Sequence, residues 1–547
     1  MKSWLKGSLV LAAVTVLLAG CGSSEEKKET ASSGDQVEQT IKVSLTAPLT
    51  TLDTTQTTDK VTFTVVQHLF EGLYRLDADS QTVPGLAESV DISEDGKDYT
   101  FHIRKDAKWS DGSALTAHDF EFAWKRLVNP QTMGPNAYWL DNVVNSLDVR
   151  NGDKDIDEIG FKAVDDQTFE VHLINPQPAF LSIVSIGWLA PQKESFVTEQ
   201  GDNYATSPDT LLYSGPFALE DWTPASDTWT LKKNPEYYDA DVVKLDTVEG
   251  ATMKEETTGL NLFESGELDF AKLTGQNVKQ HADDEALVSE QELSNRFIDF
   301  NKKASDLLAS KDFRKAVALA IDKEGLANNV LVDGAKPLNG LIPAKLYANS
   351  KTGEDFREYS GDHNVFNVEE AQKFWAKAQA EFGDKQEVTL LVDDSDNGKL
   401  ISEYIQSQLQ TNLPGLTVKI TPKPANNVNQ SRADGDYELS ISGWIAGTND
   451  LLSYFNLYNT GSSYNYGKYE NSEYAELINK AISTDANDDD KVFEDYKAAE
   501  EILLDEDAAQ VPLIQSAANY LVNPNVKDMI FHTYGDYFNL REAYIEE

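Results

Sequence analysis

The side chains able to do chemistry here are poorly arranged for catalysis. The seven histidines are His68, His102, His118, His172, His281, His363 and His532. No two have the three-to-five spacing that puts a pair of imidazoles on one helix face for a metal. His102 and His172 fall opposite the apolar faces of predicted strands and read as strand surface. Asp485-Ala486-Asn487-Asp488-Asp489-Asp490 starts like a calcium loop, but it lacks glycine at its sixth place and has Tyr496 at its twelfth. Asp393-Asp394-Ser395-Asp396-Asn397-Gly398 has the glycine, but its twelfth place is Tyr404. A calcium loop needs a bidentate glutamate there, so both read as solvated loops or helix entries. There is no Gly-x-Ser-x-Gly, phosphate loop or dinucleotide fingerprint. The single cysteine excludes an intrachain disulfide and a cysteine-based zinc site. No enzyme, cofactor or metal is expected.

The pattern that suits ligand binding is aromatic. Residues 437–469 hold Tyr437, Trp444, Tyr454, Phe455, Tyr458, Tyr464, Tyr466 and Tyr469, well above the chain's 10%. Gly443 and Gly447 flank Trp444 just after a predicted strand, where glycine lets another backbone approach. An aromatic beside such an opening can wall a pocket. Tyr138-Trp139 is a second aromatic pair, in a loop. Ordinary core and interdomain packing is the simpler account of the same aromatics.

These positions need a scaffold, and the hydrophobic periodicity supplies one. Strands are predicted at 41–45, 99–103, 168–173, 229–232, 388–392, 416–420 and 437–441. Val61, Val65, Leu69 and Leu73 give a helical face across 58–74. Thr116 and Asp119 form a capping box for a helix with the apolar face Phe120, Ala123, Trp124, Leu127 and Val128, ended by Asn129-Pro130. Further helices are predicted at 313–330, 368–382, 398–411, 472–481 and 490–504. The class is α/β without barrel alternation. No linker cuts residues 41–547, which implies interleaved domains.

The 547 residues suggest three or four domain-sized units at roughly 150 residues each. With 47 basic and 92 acidic residues the formal net charge is −45, which excludes nucleic acid as a main partner. The 40% hydrophobic content is enough to build cores. Lys2 and Lys6 precede an apolar run from Leu9 to Leu18, as in a secretory signal. The run ends Leu18-Ala19-Gly20-Cys21, which resembles a bacterial lipobox, so Cys21 is the expected lipid-attachment site. Losing residues 1–20 removes two lysines, taking the charge from −45 to −47. Residues 21–40 are polar and read as a flexible tether. This implies a lipid-anchored protein on the outer face of the cell membrane, as in a Gram-positive bacterium.

Several segments occur in a recognisable order. They include Leu69-Phe70-Glu71-Gly72-Leu73, Pro84-Gly85-Leu86-Ala87-Glu88, Tyr99-Thr100-Phe101-His102-Ile103-Arg104 and Lys108-Trp109-Ser110-Asp111-Gly112. Thr116-Ala117-His118-Asp119-Phe120, Ser214-Gly215-Pro216-Phe217, Lys233-Asn234-Pro235-Glu236-Tyr237-Tyr238 and Phe313-Arg314-Lys315-Ala316 follow. Together they resemble the extracellular solute-binding proteins of peptide ABC importers, in particular the oligopeptide-binding branch. The resemblance implies a periplasmic-binding-protein-like two-lobed fold (type II) with a hinge and an extra inserted domain. Lobe I would comprise 41–71, 212–300 and 508–547, the inserted domain 72–211, and lobe II 301–507. A peptide would lie extended in the cleft and pair its backbone with protein strands. The implied contacts are Lys60, Val61, Gly443, Trp444 and Ile445 for the backbone, Asn261 and Arg432 in the cleft, and Tyr138 and Trp139 in a side-chain pocket. The implied partners are a peptide, permease subunits of an ABC transporter and the membrane; the protein itself would be a monomer. Many relatives carry an aspartate three residues after the tryptophan, pairing with the peptide's α-amino group. Here that place is Gly447, followed by Thr448, Asn449 and Asp450. Asp450 is the nearest substitute; otherwise the ligand's N-terminus is blocked, lies outside the cleft, or the ligand is unusual. A signalling-peptide (pheromone) receptor of the same fold is the alternative reading, and a secreted hydrolase the alternative of another class.

Overall fold

The computed structural model describes residues 38–462 and 464–546. The expected signal peptide, Cys21 and most of the expected tether lie outside them. The tether ends sooner than position 40. Gln39 exchanges two hydrogen bonds with Ile545 through its side-chain amide, and Thr40 opens the first strand.

An eleven-stranded sheet runs through the molecule. Its main path is Leu416–Lys423, Gln386–Asp393, Leu439–Ile445, Leu287–Phe300, Gln510–Val522, Phe270–Leu273, Thr40–Leu45, Thr247–Thr252, Thr228–Lys233 and Phe217–Asp221. The two long central strands, Leu287–Phe300 and Gln510–Val522, pair with each other antiparallel and are shared by the two halves of the sheet. Their ladder is broken between Gln291 and Asn295 and shifts again after Arg296. Such bulges bend a strand and re-aim its side chains, and this one sits beside the cavity described below. A separate four-stranded sheet, Ala87–Ile92, Asp98–Ile103, Thr168–His172 and Phe161–Asp165, lies within residues 73–189 and has its own core around Phe101, Trp124 and Phe169. Other cores gather around Ile41, Trp229 and Phe270, around Phe300, Trp375 and Leu390, and around Phe455, Tyr474 and Phe493.

Most elements follow the sequence pattern. The helix Ala117–Val128 carries the Thr116–Asp119 capping box, and Val368–Phe382 and Ser472–Ala481 match their expected bounds. Two predicted helices are corrected. The helix expected across 58–74 spans only Lys60–Leu69: Asp59 caps its start, accepting from the Thr62 amide at 2.8 Å, and the backbone turns extended at Phe70. Leu73 then packs in a different core from Val65 and Leu69. The helix expected at 313–330 breaks after Leu319 because Asp322 caps a new turn through the Gly325 amide. The strand expected to end at 441 continues to Ile445, because residues 442–445 pair with 294–297.

Candidate functional site

A cavity of about 1310 Å³ opens beside the central strands. Two strand edges face it. Leu439–Ile445 is paired along one edge with Leu287–Phe300, but on the other edge, among the described residues, only Leu439 and Ser440 have strand partners. Ser442, Gly443, Trp444 and Ile445 line the cavity without a strand on that side. Gln510–Val522 shows the same gap. Its outer edge pairs at 514–515 and 519–522, whereas Ser516, Ala517 and Ala518 line the cavity between. Backbone donors and acceptors left open in a strand are a template for an added strand.

Aromatic rings cover the opening. Trp139 stacks on Trp188 with centroids 6.0 Å apart, Tyr138 lies 5.2 Å from Trp139, and Trp444 meets Tyr464 edge-on at 5.0 Å. The Trp139 ring reaches Gly447 so closely that a Cβ there would stand 2.8 Å from Cη2 and Cζ2. The indole thus occupies the place where an aspartate side chain would begin.

Charges line the same space. Glu292 is paired with Lys60 at 3.2 Å and Arg296 with Asp393 at 3.5 Å. Asp141 is paired with Arg150. Lys272 has no carboxylate within ion-pair distance among the described residues and rests over the Tyr537 ring at 4.6–4.8 Å together with Lys60. Burial pulls the Lys272 ammonium below its usual range, and Lys60 adds to the effect against Glu292. Burial pushes the Tyr138 phenol up to about 12.

The expected site residues divide. Tyr138, Trp139, Gly443, Trp444, Ile445, Gly447 and Asp450 line the cavity. Lys60 and Val61 do not; Lys60 reaches the lining through Glu292, and Val61 is buried in its helix face. Asn261 is exposed on the helix Glu256–Glu264, away from the lining. Asn449 is part-buried behind the lining, with Oδ1 unpartnered among the described residues. Arg432 shares a helix with the lining residues Ala425, Val428 and Asn429, but its guanidinium is held by Asp299 at 3.3 Å and lies over Tyr466. The aromatic-rich stretch also splits: Trp444 and Tyr464 face the cavity, whereas Tyr437, Tyr454, Phe455, Tyr458 and Tyr469 are buried. Sequence reasoning missed Trp188, Lys272, Glu292 and Arg296. Gly187-Trp188 repeats the Gly443-Trp444 pair, and Lys272 interrupts an apolar strand, so both left a signal. The bulge that aims Glu292 and Arg296 left none.

Comparison with known proteins adds a second line of observation. The sequence pattern of "Bacterial extracellular solute-binding proteins, family 5 Middle" matches residues 81–466. A dipeptide-binding protein of Lactococcus lactis is 30% identical over 98% of both chains. The structure of Listeria monocytogenes OppA bound to peptide superposes with a TM-score of 0.75 at 35% identity, covering 94% of this chain and 100% of that one. The pheromone receptor PrgZ superposes with a TM-score of 0.75 at 33% identity, covering 93% and 100%.

Proposed function

We propose a function from one premise: this chain belongs to the bacterial extracellular solute-binding proteins of family 5. Its fold is the two-lobed α/β fold of the periplasmic-binding-protein type, and the class is that of the peptide-binding components of ABC importers. On our reading the protein captures a peptide in the cavity between its lobes and hands it to a membrane permease. The observation that carries this is the pair of open strand edges at 442–445 and 516–518, facing one cavity. Backbone pairing ignores side-chain identity, so one site takes many sequences. A ligand touching both lobes favours the closed arrangement by its differential contacts.

In this reading lobe I comprises 41–71, 212–300 and 508–547, the inserted domain 72–211 and lobe II 301–507, with the shared central strands as hinge. Cys21 carries the lipid that holds the monomer on the outer face of the membrane. Two or more acyl chains give stable anchoring, at about 0.8 kcal/mol per buried methylene. A Cys21→Ser variant should appear in the culture medium; retention on the membrane would remove this part of the reading.

The test of the function is thermal melting of ligand-stripped protein with a mixed peptide pool. A rise in Tm supports it, and no response to any pool overturns it. Similarity to PrgZ favours one second reading, a receptor for a signalling peptide. Deletion of the gene separates the two: loss of growth on peptides indicates uptake, whereas loss of a peptide-induced response with normal growth indicates signalling.

A further inference from the structure

The seam beside the main cavity continues outward. Asn142 and Gln177 on one side and Leu452 on the other line both the main cavity and an adjoining space of about 190 Å³. That space runs on between residues 175–179 and a wall that includes Ile482 and Ala486. Each wall leads to a turn. Ala486 is followed by Asn487, and the Ile174 carbonyl accepts from Lys97 Nζ at 2.9 Å, which ties the other wall to the hairpin turn at 93–97.

The two turns meet. Asn487 donates from Nδ2 to the Asp95 carbonyl at 2.9 Å. Its Oδ1 lies where a side chain at 96 would begin, since a Cβ on Gly96 would stand 2.6 Å from it. Gly96 has φ +71°, a conformation that glycine adopts freely, and the same missing Cβ lets the amide approach. Among the described residues this is the one hydrogen bond or ion pair that joins 72–211 to 301–507.

Each turn is held without the other. Between the strands Ala87–Ile92 and Asp98–Ile103, the Ser93 amide donates to the Asp98 carbonyl at 2.9 Å, and Ser93 Oγ accepts from the Asp98 amide at 2.9 Å. On the other side the Asp488 amide donates to the Asp485 carbonyl at 2.8 Å. The Asp485 carboxylate is paired with Lys480 at 2.7 Å and that of Asp488 with Lys351 at 2.9 Å. Ala486 is buried, whereas Asn487 is exposed. Surfaces shaped in advance lose little freedom when they dock, so this contact can form and break as a unit. Neither Asn487 nor Gly96 lines the main cavity.

We propose that Asn487, docked on the Gly96 turn, is a latch that holds the two walls of the seam together over a bound peptide and so sets how fast any peptide leaves. Asn487 is a positioning residue: it acts on closure and not on the ligand. A contact made only in the closed arrangement favours that arrangement whatever lies inside. Its loss therefore scales every affinity by one factor. This rests on the peptide-binding reading above.

The test uses several peptides of different sequence, chosen from those that the stripped full-length protein retains from a peptic digest of casein. Affinity is measured by calorimetry and dissociation by tryptophan fluorescence in stopped flow. Asn487→Ala should weaken all of them by one common factor of about 2- to 12-fold, the range for one neutral hydrogen bond. The change should fall on the dissociation rate, and the melting temperature of the stripped protein should not move. Asn487→Asp keeps the shape but sets an acceptor against the Asp95 carbonyl, so it should weaken binding at least as much. Gly96→Ala strains its turn with or without ligand and lowers the melting temperature, but it costs affinity only by meeting Asn487. The double variant with Asn487→Ala should therefore bind no more weakly than Gly96→Ala alone. Wild-type affinity in both Asn487 variants, factors that differ from peptide to peptide, or additive losses in the double variant overturn the latch while leaving peptide binding intact. A wild type that retains no peptide from the digest overturns the peptide-binding reading itself.

Discussion

Replacing Gly447 by alanine places a methyl carbon 2.8 Å from Cη2 and Cζ2 of Trp139. Carbon atoms in contact prefer about 3.5–4.0 Å, so the ring or the 447 loop must retreat by about 0.7 Å or more. Gly447 does not have the positive φ that penalises a side chain, so the indole is the obstacle. Overpacking of this size costs about 1–3 kcal/mol, which is about 5- to 150-fold in affinity if it falls on the closed, ligand-bound form. Titration calorimetry with a peptide purified from the protein's own retained pool measures the loss. Thermal melting of the stripped variant should change far less than its affinity. Trp139→Ala in the same chain should recover part of the loss, giving a non-additive cycle. Wild-type affinity in Gly447→Ala, or strict additivity of the two substitutions, would refute the close approach of Trp139 as the reason position 447 carries no side chain.

Other expectations separate binding from stability. Arg432→Ala should lower the melting temperature, because leaving Asp299 unpaired in a buried site costs about 3–5 kcal/mol; the affinity of the folded protein should stay at the wild-type value. Lys272→Met should not lower the melting temperature, because it removes a buried ammonium with no carboxylate within ion-pair distance among the described residues. His363 lies against Asp505 and Glu500. Burial opposes its charge, but these two acids outweigh burial and raise its pKa to about 9. Its contribution to stability is therefore complete below the unfolded value of about 6.5 and is lost as pH rises through about 9. Lys323, held down to about 7 by burial, and Lys302, to about 8, act in the opposite direction over the same window. The test is thus a difference: urea unfolding of wild type minus His363→Gln should shrink between pH 6 and pH 9.5.

Local pattern carried much of the scaffold, because capping and periodicity are short-range. The Thr116–Asp119 box and the alternation at Tyr99, Phe101 and Ile103 each fall in the expected element. Asp322 is equally local, yet the apolar spacing of 313–330 runs across it; a cap outweighs periodicity where the two disagree. The cavity was legible where glycine and tryptophan stand together, at Gly443-Trp444. It was not legible where it depends on strand pairing across hundreds of residues. The gaps at 442–445 and 516–518 exist because the neighbouring strands stop short, and no residue in those segments announces it. Arg432 shows the reverse problem. Its helix stripe points toward the cavity, but Asp299 and Tyr437, brought close only by folding, engage its neighbourhood first.

The most direct measurement is mass spectrometry of whatever is released when freshly purified protein is denatured without prior stripping. Short peptides of varied sequence are expected in the released fraction. Folded protein that releases a non-peptide solute, or releases nothing and afterwards binds no peptide pool, would contradict the account.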